Sequence, residues 1–164
     1  MESGTTTSSV GRTARLASTC ILASTLTESM TRIDHIGIAT NRIADSVDFY
    51  RHALGLEVEE EIEDVPSQKV RVAMLPIGES RIELLEPTTD DSPISKFLAK
   101  RGPGIHHVAI QVENIRESLR KMKEKGARLI DEEPRTGAGG CLVAFVHPSS
   151  TGGVLVELVE NQKR

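Results

Sequence analysis

Two histidines and two glutamates recur at matching places in the two halves of this sequence. His35 and His107 lie in short apolar runs, and Glu83 and Glu157 each interrupt a later apolar run. A carboxylate buried without a partner is strongly unfavourable, so one acid beside one imidazole in each half favours a bound cation. Neutral imidazole and carboxylate are suitable ligands for Zn²⁺, Co²⁺, Mn²⁺, Ni²⁺ or Fe²⁺. The pattern predicts one divalent-metal site with open positions for substrate oxygens.

The other histidines are expected to have different roles. A lone histidine in an apolar strand is usually a core residue with a hydrogen-bonded ring, and a lone glutamate can simply face solvent. His106 precedes His107, so strand alternation places it on the opposite face, in a structural role or in support of a ligand. His52, on a helix, and His147, in a turn, are expected to be non-ligands, and Cys141 a small buried hydrophobe.

The elements that position these residues also repeat. The runs IDHIGI and IHHVAI read as first strands, each followed by a helical stretch, over 43–54 and 114–126. Further apolar strands complete each half as β-α-β-β-β. A single such unit would leave strand edges and one sheet face open, and pairing two units removes both problems. We therefore predict an α+β fold in which modules at about 33–87 and 105–160 form a curved mixed β-sheet cleft.

Helix ends and glycine-rich loops carry their own signals. Asn41 is expected to cap the first helix, and Ser92 a short helix in the linker between the modules, over 94–99. The segments 136–140 and 150–153 are glycine-rich loops that need positive φ or close backbone approach. They are interpreted either as tight turns or as backbone amides that contact a carboxylate or thioester of a ligand.

Composition limits the classes of function. The chain has 164 residues, a formal net charge of -4 and 2% aromatic residues, which argues against nucleic acid as a partner. No apolar run approaches the roughly 18 residues of a membrane helix, so no membrane partner is expected. Two cysteines cannot form a disulfide framework, and a reducing environment is expected.

The N-terminal segment 1–30 differs from the rest. It is rich in Ser and Thr, has few acids and lacks hydrophobic periodicity, so we expect it to be a disordered extension of the domain at 31–164. Two other interpretations stay open. Met30 can be the true first residue, or the segment can be a mitochondrial transit peptide.

Four segments together resemble the vicinal oxygen chelate superfamily, which includes glyoxalase I and the extradiol dioxygenases. Within it, the chain looks like the methylmalonyl-CoA epimerase family, and the resemblance covers about 31–161. The matching segments are IDHIGIA at 33–39, IELLEP to GIHH at 82–107, DEEPRTGAGG at 131–140 and HPSSTGGVLVEL at 147–158.

The resemblance implies roles for individual residues. His35, His107 and Glu157 would be metal ligands, and Glu83 would be the fourth, where some members have Gln. Glu157 would also act as one catalytic acid–base group. Val72, or as the alternative Arg71, stands where some members have a glutamate base, so the second base is not identified. Gln68, Glu61 and Glu63 are nearby polar residues of this region.

The implied reaction interconverts (R)- and (S)-methylmalonyl-CoA by 1,1-proton transfer at C2, with a divalent metal chelating the enolate. The implied cofactor is Co²⁺, with Mn²⁺, Ni²⁺ or Zn²⁺ as alternatives. The implied partners are a small-molecule acyl-CoA substrate and a second copy of the chain in a homodimer, in the cytoplasm or, in a eukaryote, the mitochondrial matrix. A glyoxalase I-like lactoylglutathione lyase and a non-enzymatic small-molecule-binding protein are the alternatives.

Overall fold

The structure is a computed structural model that describes Met1, residues 31–58 and residues 61–161. The interpretations of 1–30 therefore concern a segment that, apart from Met1, lies outside the described residues. Among the described helices, none has the length and apolar character needed to cross a membrane.

Each half of the described chain forms the β-α-β-β-β unit that the repeats predict. The strands are β1 (Arg32–Ala39), β2 (Glu63–Val65), β3 (Val70–Ile77), β4 (Ser80–Pro87), β5 (Gly104–Gln111), β6 (Arg135–Thr136), β7 (Leu142–Val146) and β8 (Val156–Glu160). The helices are α1 (Ile43–Asp48), α2 (Pro93–Arg101) and α3 (Ile115–Glu124). The stretch expected as one helix over 43–54 changes after α1 into a π-helical turn, Phe49–Ala53.

The eight strands form one curved mixed sheet in the order β2-β3-β4-β1-β5-β8-β7-β6. Within each module the first and last strands are parallel neighbours, β1 with β4 and β5 with β8. The modules join where β1 and β5 pair antiparallel. This arrangement confirms the predicted α+β fold and places β4, β1, β5 and β8 side by side at the centre of the sheet.

Helices α1 and α3 cover the same face of this sheet in the two modules. Ile43 of α1 packs with Leu84 of β4, and Ile115 of α3 packs with Leu158 of β8. Successive side chains of a strand point to opposite faces. The glutamate that precedes each leucine therefore points to the face that these helices leave open.

At the start of the first helix of each module, one backbone N–H donates to a glutamate from that module's last strand. The expected cap by Asn41 is wrong, because α1 begins at Ile43, whose backbone N–H donates to Glu86 Oε2 at 2.7 Å. In the second module the N–H of Ile115 donates to Glu160 Oε2 at 2.8 Å. Each contact satisfies one N–H that a helix start leaves without an intrahelical acceptor.

The linker helix α2 begins as predicted. Ser92 is fully buried, and its side chain accepts a hydrogen bond from the N–H of Ile94 at 3.2 Å. Pro93 occupies the first helical position, where its missing N–H has no consequence. The helix runs two residues further than expected, to Arg101.

Candidate metal centre

The four predicted ligands lie on the four central strands and point to the open face of the sheet. Glu83 is on β4, His35 on β1, His107 on β5 and Glu157 on β8. All four are buried, with exposed fractions of 3% to 6%. The pseudo-symmetric pairing of β1 with β5 therefore brings one imidazole and one carboxylate of each module to a common point.

The ligand atoms converge closely. The Nε2 atoms of His35 and His107 are 3.0 Å apart, and Glu157 Oε2 lies 3.1 and 3.0 Å from them. Glu83 Oε2 lies 3.4 and 3.3 Å from the same two nitrogens. The structure thus brings together all four predicted residues. That they bind a metal stays a prediction.

Ring orientation directs the lone pairs of both histidines to this point. His35 Nδ1 lies 2.9 Å from Asp34 Oδ1, and a carboxylate accepts, so Nδ1 carries the proton and Nε2 presents a lone pair. His107 Nδ1 lies 3.0 Å from His106 Nδ1, which leaves its Nε2 directed to the centre. Four acceptor atoms facing one another repel unless a proton or a metal cation lies among them.

The spacing and burial of the donors fit a divalent ion. With ligand distances of about 2.1 Å, neighbouring donors lie roughly 3.0 Å apart at right angles and roughly 3.4 Å apart at tetrahedral angles. The separations between the two histidine nitrogens, and between these nitrogens and each glutamate oxygen, are 3.0 to 3.4 Å and fall in that range. The ligand atoms of His35, His107 and Glu157 all lie within 4.8 Å of one another, a set that does not include Glu83. Glu83 Oε2 is fully buried and makes no hydrogen bond within the described part of the chain. A metal would satisfy that oxygen.

The pKa values of these four residues also indicate that positive charge is stabilised at this point. Burial by itself lowers the pKa of His35, but the nearby Glu83 carboxylate and the contacts with Asp34 and Glu157 raise it to about 12. Burial likewise opposes protonation of His107, yet the two glutamates raise its pKa to about 9. Burial raises the pKa of both glutamates, and the histidines outweigh it, so both pKa values are lowered.

Two β-bulges explain why the ring of His106 contacts that of His107, contrary to the sequence prediction. The register between β1 and β5 shifts between Ile33 and His35, and again opposite His106, between Gly37 and Ile38. Asp34 and His106 are thus extra residues at repeat-equivalent positions, and strict alternation does not hold there. The expectation that His106 faces away from His107 is wrong, because the two rings contact each other.

These extra residues hold the Nδ1 atoms of the two histidines. Asp34 also pairs with Arg81, and burial, which raises its pKa, is outweighed by His35 and Arg81, so the pKa is about 2. Burial and His107 lower the pKa of His106 to about 4, so its ring is neutral and able to accept a hydrogen bond. The sequence reasoning missed Asp34, although its position matching His106 was a usable signal.

Gly37 makes room for the His107 ring. It pairs with His107 across β1 and β5, and a Cβ at this position would lie 2.2 Å from His107 Cε1. Real Cβ atoms do not approach so closely, so only glycine allows the ring to lie here. The sequence reasoning treated this glycine as an ordinary strand residue.

The four donors lie on the floor of a cleft of about 210 Å³. Apolar residues of β3, β7 and β8 line part of it, and Gln68, Glu61 and Glu63 line another part. Cys141, which was expected to be a small buried hydrophobe, is partly exposed and also lines the cleft. Burial raises the pKa of its thiol to about 11, and the thiol donates to the Ala138 carbonyl at 3.1 Å.

Comparison with known proteins agrees with the fold. The family model of the Glyoxalase/Bleomycin resistance protein/Dioxygenase superfamily matches residues 34–145. The mitochondrial methylmalonyl-CoA epimerase of Bos taurus is 42% identical over 77% of this chain and 73% of its own length. The ethylmalonyl-CoA/methylmalonyl-CoA epimerase of Cereibacter sphaeroides is 40% identical over 77% of this chain and 96% of its own.

A solved structure extends this similarity to three dimensions. A methylmalonyl-CoA epimerase in complex with methylmalonyl-CoA and NH₄⁺ is 43% identical, with a TM-score of 0.77, over 81% of this chain and 96% of its own. A more distant relative, the lactoylglutathione lyase of Escherichia coli O157:H7, is 25% identical over 80% of this chain and 93% of its own. The resemblance predicted from the sequence is confirmed at the level of the family and its epimerases.

Proposed function

The chain belongs to the Glyoxalase/Bleomycin resistance protein/Dioxygenase superfamily, and from that premise we propose that it is an isomerase that epimerises methylmalonyl-CoA at C2. The observation that carries the proposal is the convergence of two imidazoles and two carboxylates on the floor of a cleft. Relatives at 40% and 42% identity are named methylmalonyl-CoA epimerases, which supports this substrate.

The C2 proton of such a substrate is acidic because it lies between a thioester carbonyl and a carboxylate. A divalent cation held by His35, Glu83, His107 and Glu157 would stabilise the negative charge that develops on the substrate oxygens when this proton leaves. Co²⁺ is the ion we expect, with Mn²⁺, Ni²⁺ and Zn²⁺ as alternatives.

Glu157 is proposed as one acid–base group. It is 4% exposed, lines the cleft, and its Oε2 lies 3.1 and 3.0 Å from the Nε2 atoms of His35 and His107. Asp34 and His106 hold the two imidazoles in place through their Nδ1 atoms. The apolar walls contributed by Val72 and Val143 exclude water from the reacting carbon.

Proton exchange at C2 of methylmalonyl-CoA in D₂O tests the proposal. Metal-stripped protein should be inactive, and Co²⁺, Mn²⁺ or Zn²⁺ should restore both exchange and epimerisation. His107→Ala and Glu157→Ala should lose bound metal, measured by elemental analysis, together with activity. Exposed His52, replaced by Ala, is the matched control and should keep both. Full exchange by metal-free His107→Ala would exclude this scheme.

The alternative activity is that of a lactoylglutathione lyase, and it has one observation in its favour, the 25% identity to the Escherichia coli lyase. Methylglyoxal with glutathione distinguishes the two activities. We expect no turnover of the hemithioacetal by the metal-loaded protein. The homodimer and the cellular compartment stay predictions, and sedimentation velocity tests the former.

A further inference from the structure

Inversion at C2 needs acid–base groups on both sides of the carbon. Glu157 lies on the sheet floor, so the second group has to come from another wall of the cleft. Most ionisable groups that line the cleft already have another role or are unsuited to accept a proton. Asp34 is bound to His35 and Arg81, and burial raises the pKa of the Cys141 thiol to about 11. Of the carboxylates lining this cleft in the described residues, Glu61 and Glu63 are left.

Glu63 stands where the curved sheet closes over the cleft. Its strand, β2, is one edge of the eight-stranded sheet, and β6 is the other. Glu63 Oε2 accepts a hydrogen bond at 3.0 Å from the N–H of Gly139, in the turn that follows β6. This contact joins the two edges of the sheet, so Glu63 faces the cleft from the side opposite the central strands that carry Glu157.

The register of β2 adds to this placement. Glu63 is paired with Val72 of β3, whose side chain is 3% exposed and lines the cleft. Directly paired residues share a sheet face, so Glu63 points into the cleft and Asp64 points away from it. Glu61 precedes the strand and has neither the register nor the contact with Gly139.

We propose that Glu63 is the second acid–base group of the epimerisation, acting on the face of C2 opposite Glu157; this inference rests on the proposed function. One carboxylate takes the C2 proton, and the electron pair of the broken C–H bond moves into the thioester carbonyl. The other, as the carboxylic acid, returns a proton to C2 on the opposite face. The two groups end with exchanged protonation states, which exchange with water resets.

The test is to follow inversion and exchange separately in D₂O with Glu63→Gln, loaded with metal. Inversion should fall by about 100-fold or more, the usual contribution of a positioned acid or base. Glu157 is intact, so one enantiomer should still exchange its C2 proton with retention of configuration, while the other should not exchange. Wild-type metal content in this variant shows that the centre is assembled.

Matched variants separate the possible results. Asp64→Asn, which changes a carboxylate directed away from the cleft, should invert the substrate at the wild-type rate. Glu63→Gln/Val72→Glu places a carboxylate at the paired position on the same face and should recover part of the inversion rate. Inversion by Glu63→Gln at the wild-type rate, or loss of inversion in Glu61→Gln instead, would overturn the inference and leave the proposed function standing. A wild-type protein that does not epimerise at all would overturn the proposed function itself.

Discussion

Replacing Gly37 by alanine puts a methyl group into the space that the His107 ring now fills. The added Cβ would lie 2.2 Å from the ring, so the imidazole has to move away from the other donors. Disturbing the orientation of a ligand costs about 10–100-fold in metal affinity, and we expect a loss of at least about 10-fold for Co²⁺. Isothermal titration calorimetry measures it.

The pseudo-symmetric position supplies the control. Ala109 is paired with His35 as Gly37 is paired with His107. Ala109→Gly removes a methyl group and does not push a ring, so it should keep wild-type affinity for Co²⁺, at a stability cost of roughly 0.5–1 kcal/mol. Equal affinities of Gly37→Ala and wild type would show that the ring can move without consequence.

At the residue scale, the sequence identified the four converging residues because duplication marks them. His35 and His107, like Glu83 and Glu157, are visible as matching pairs without any structure. Asp34 was missed because a β-bulge alters side-chain alternation, and in the sequence only its repeat-equivalence to His106 marks the position.

At the scale of helices and strands, the sequence likewise predicted local features and missed contacts between distant residues. The apolar runs correctly placed Glu83 and Glu157 in strands. Ser92 was identified as the cap of α2 because its hydroxyl, the acceptor, lies only two residues before the donating N–H of Ile94. The contacts of Glu86 and Glu160 with the starts of α1 and α3 span more than 40 residues of sequence, so local patterns do not reveal them. Helix α3 also has a local cap, Asn114. Each of these glutamates lies three residues after a predicted ligand glutamate, which links the helix start to the site strand.

This link gives a prediction for the second module. Glu160→Ala leaves the N–H of Ile115, a residue of 0% exposure, without its acceptor. We expect the free energy of unfolding to fall by about 1–2 kcal/mol, as for the loss of a helix cap. Urea denaturation followed by circular dichroism measures it.

Graded variants test the cause. Glu160→Gln keeps an acceptor oxygen and should lose less than Glu160→Ala, and Glu113→Ala, an exposed glutamate beside the same helix, should change little. If Glu113→Ala and Glu160→Ala cost the same, the cap is not the source of the stability.

For the whole molecule, the position of the centre predicts how metal and folding are coupled. The donors come from two strands of each module, and β1 and β5 hold the modules together. An ion that binds the native state therefore requires both modules to be folded. At 100 times its dissociation constant, such an ion adds about 2.7 kcal/mol to the free energy of unfolding.

We expect Co²⁺ at that concentration to raise the free energy of unfolding of the wild type by this amount, measured by urea denaturation. The unfolding curve should still show a single transition. Amide hydrogen exchange should slow as much in β3 of the first module as in β7 of the second, because each module unfolds only when the ion leaves. Glu157→Ala should show no shift. Protection of one module alone, or a second transition on adding metal, would mean that the ion is held by a single module, and the shared centre would be wrong.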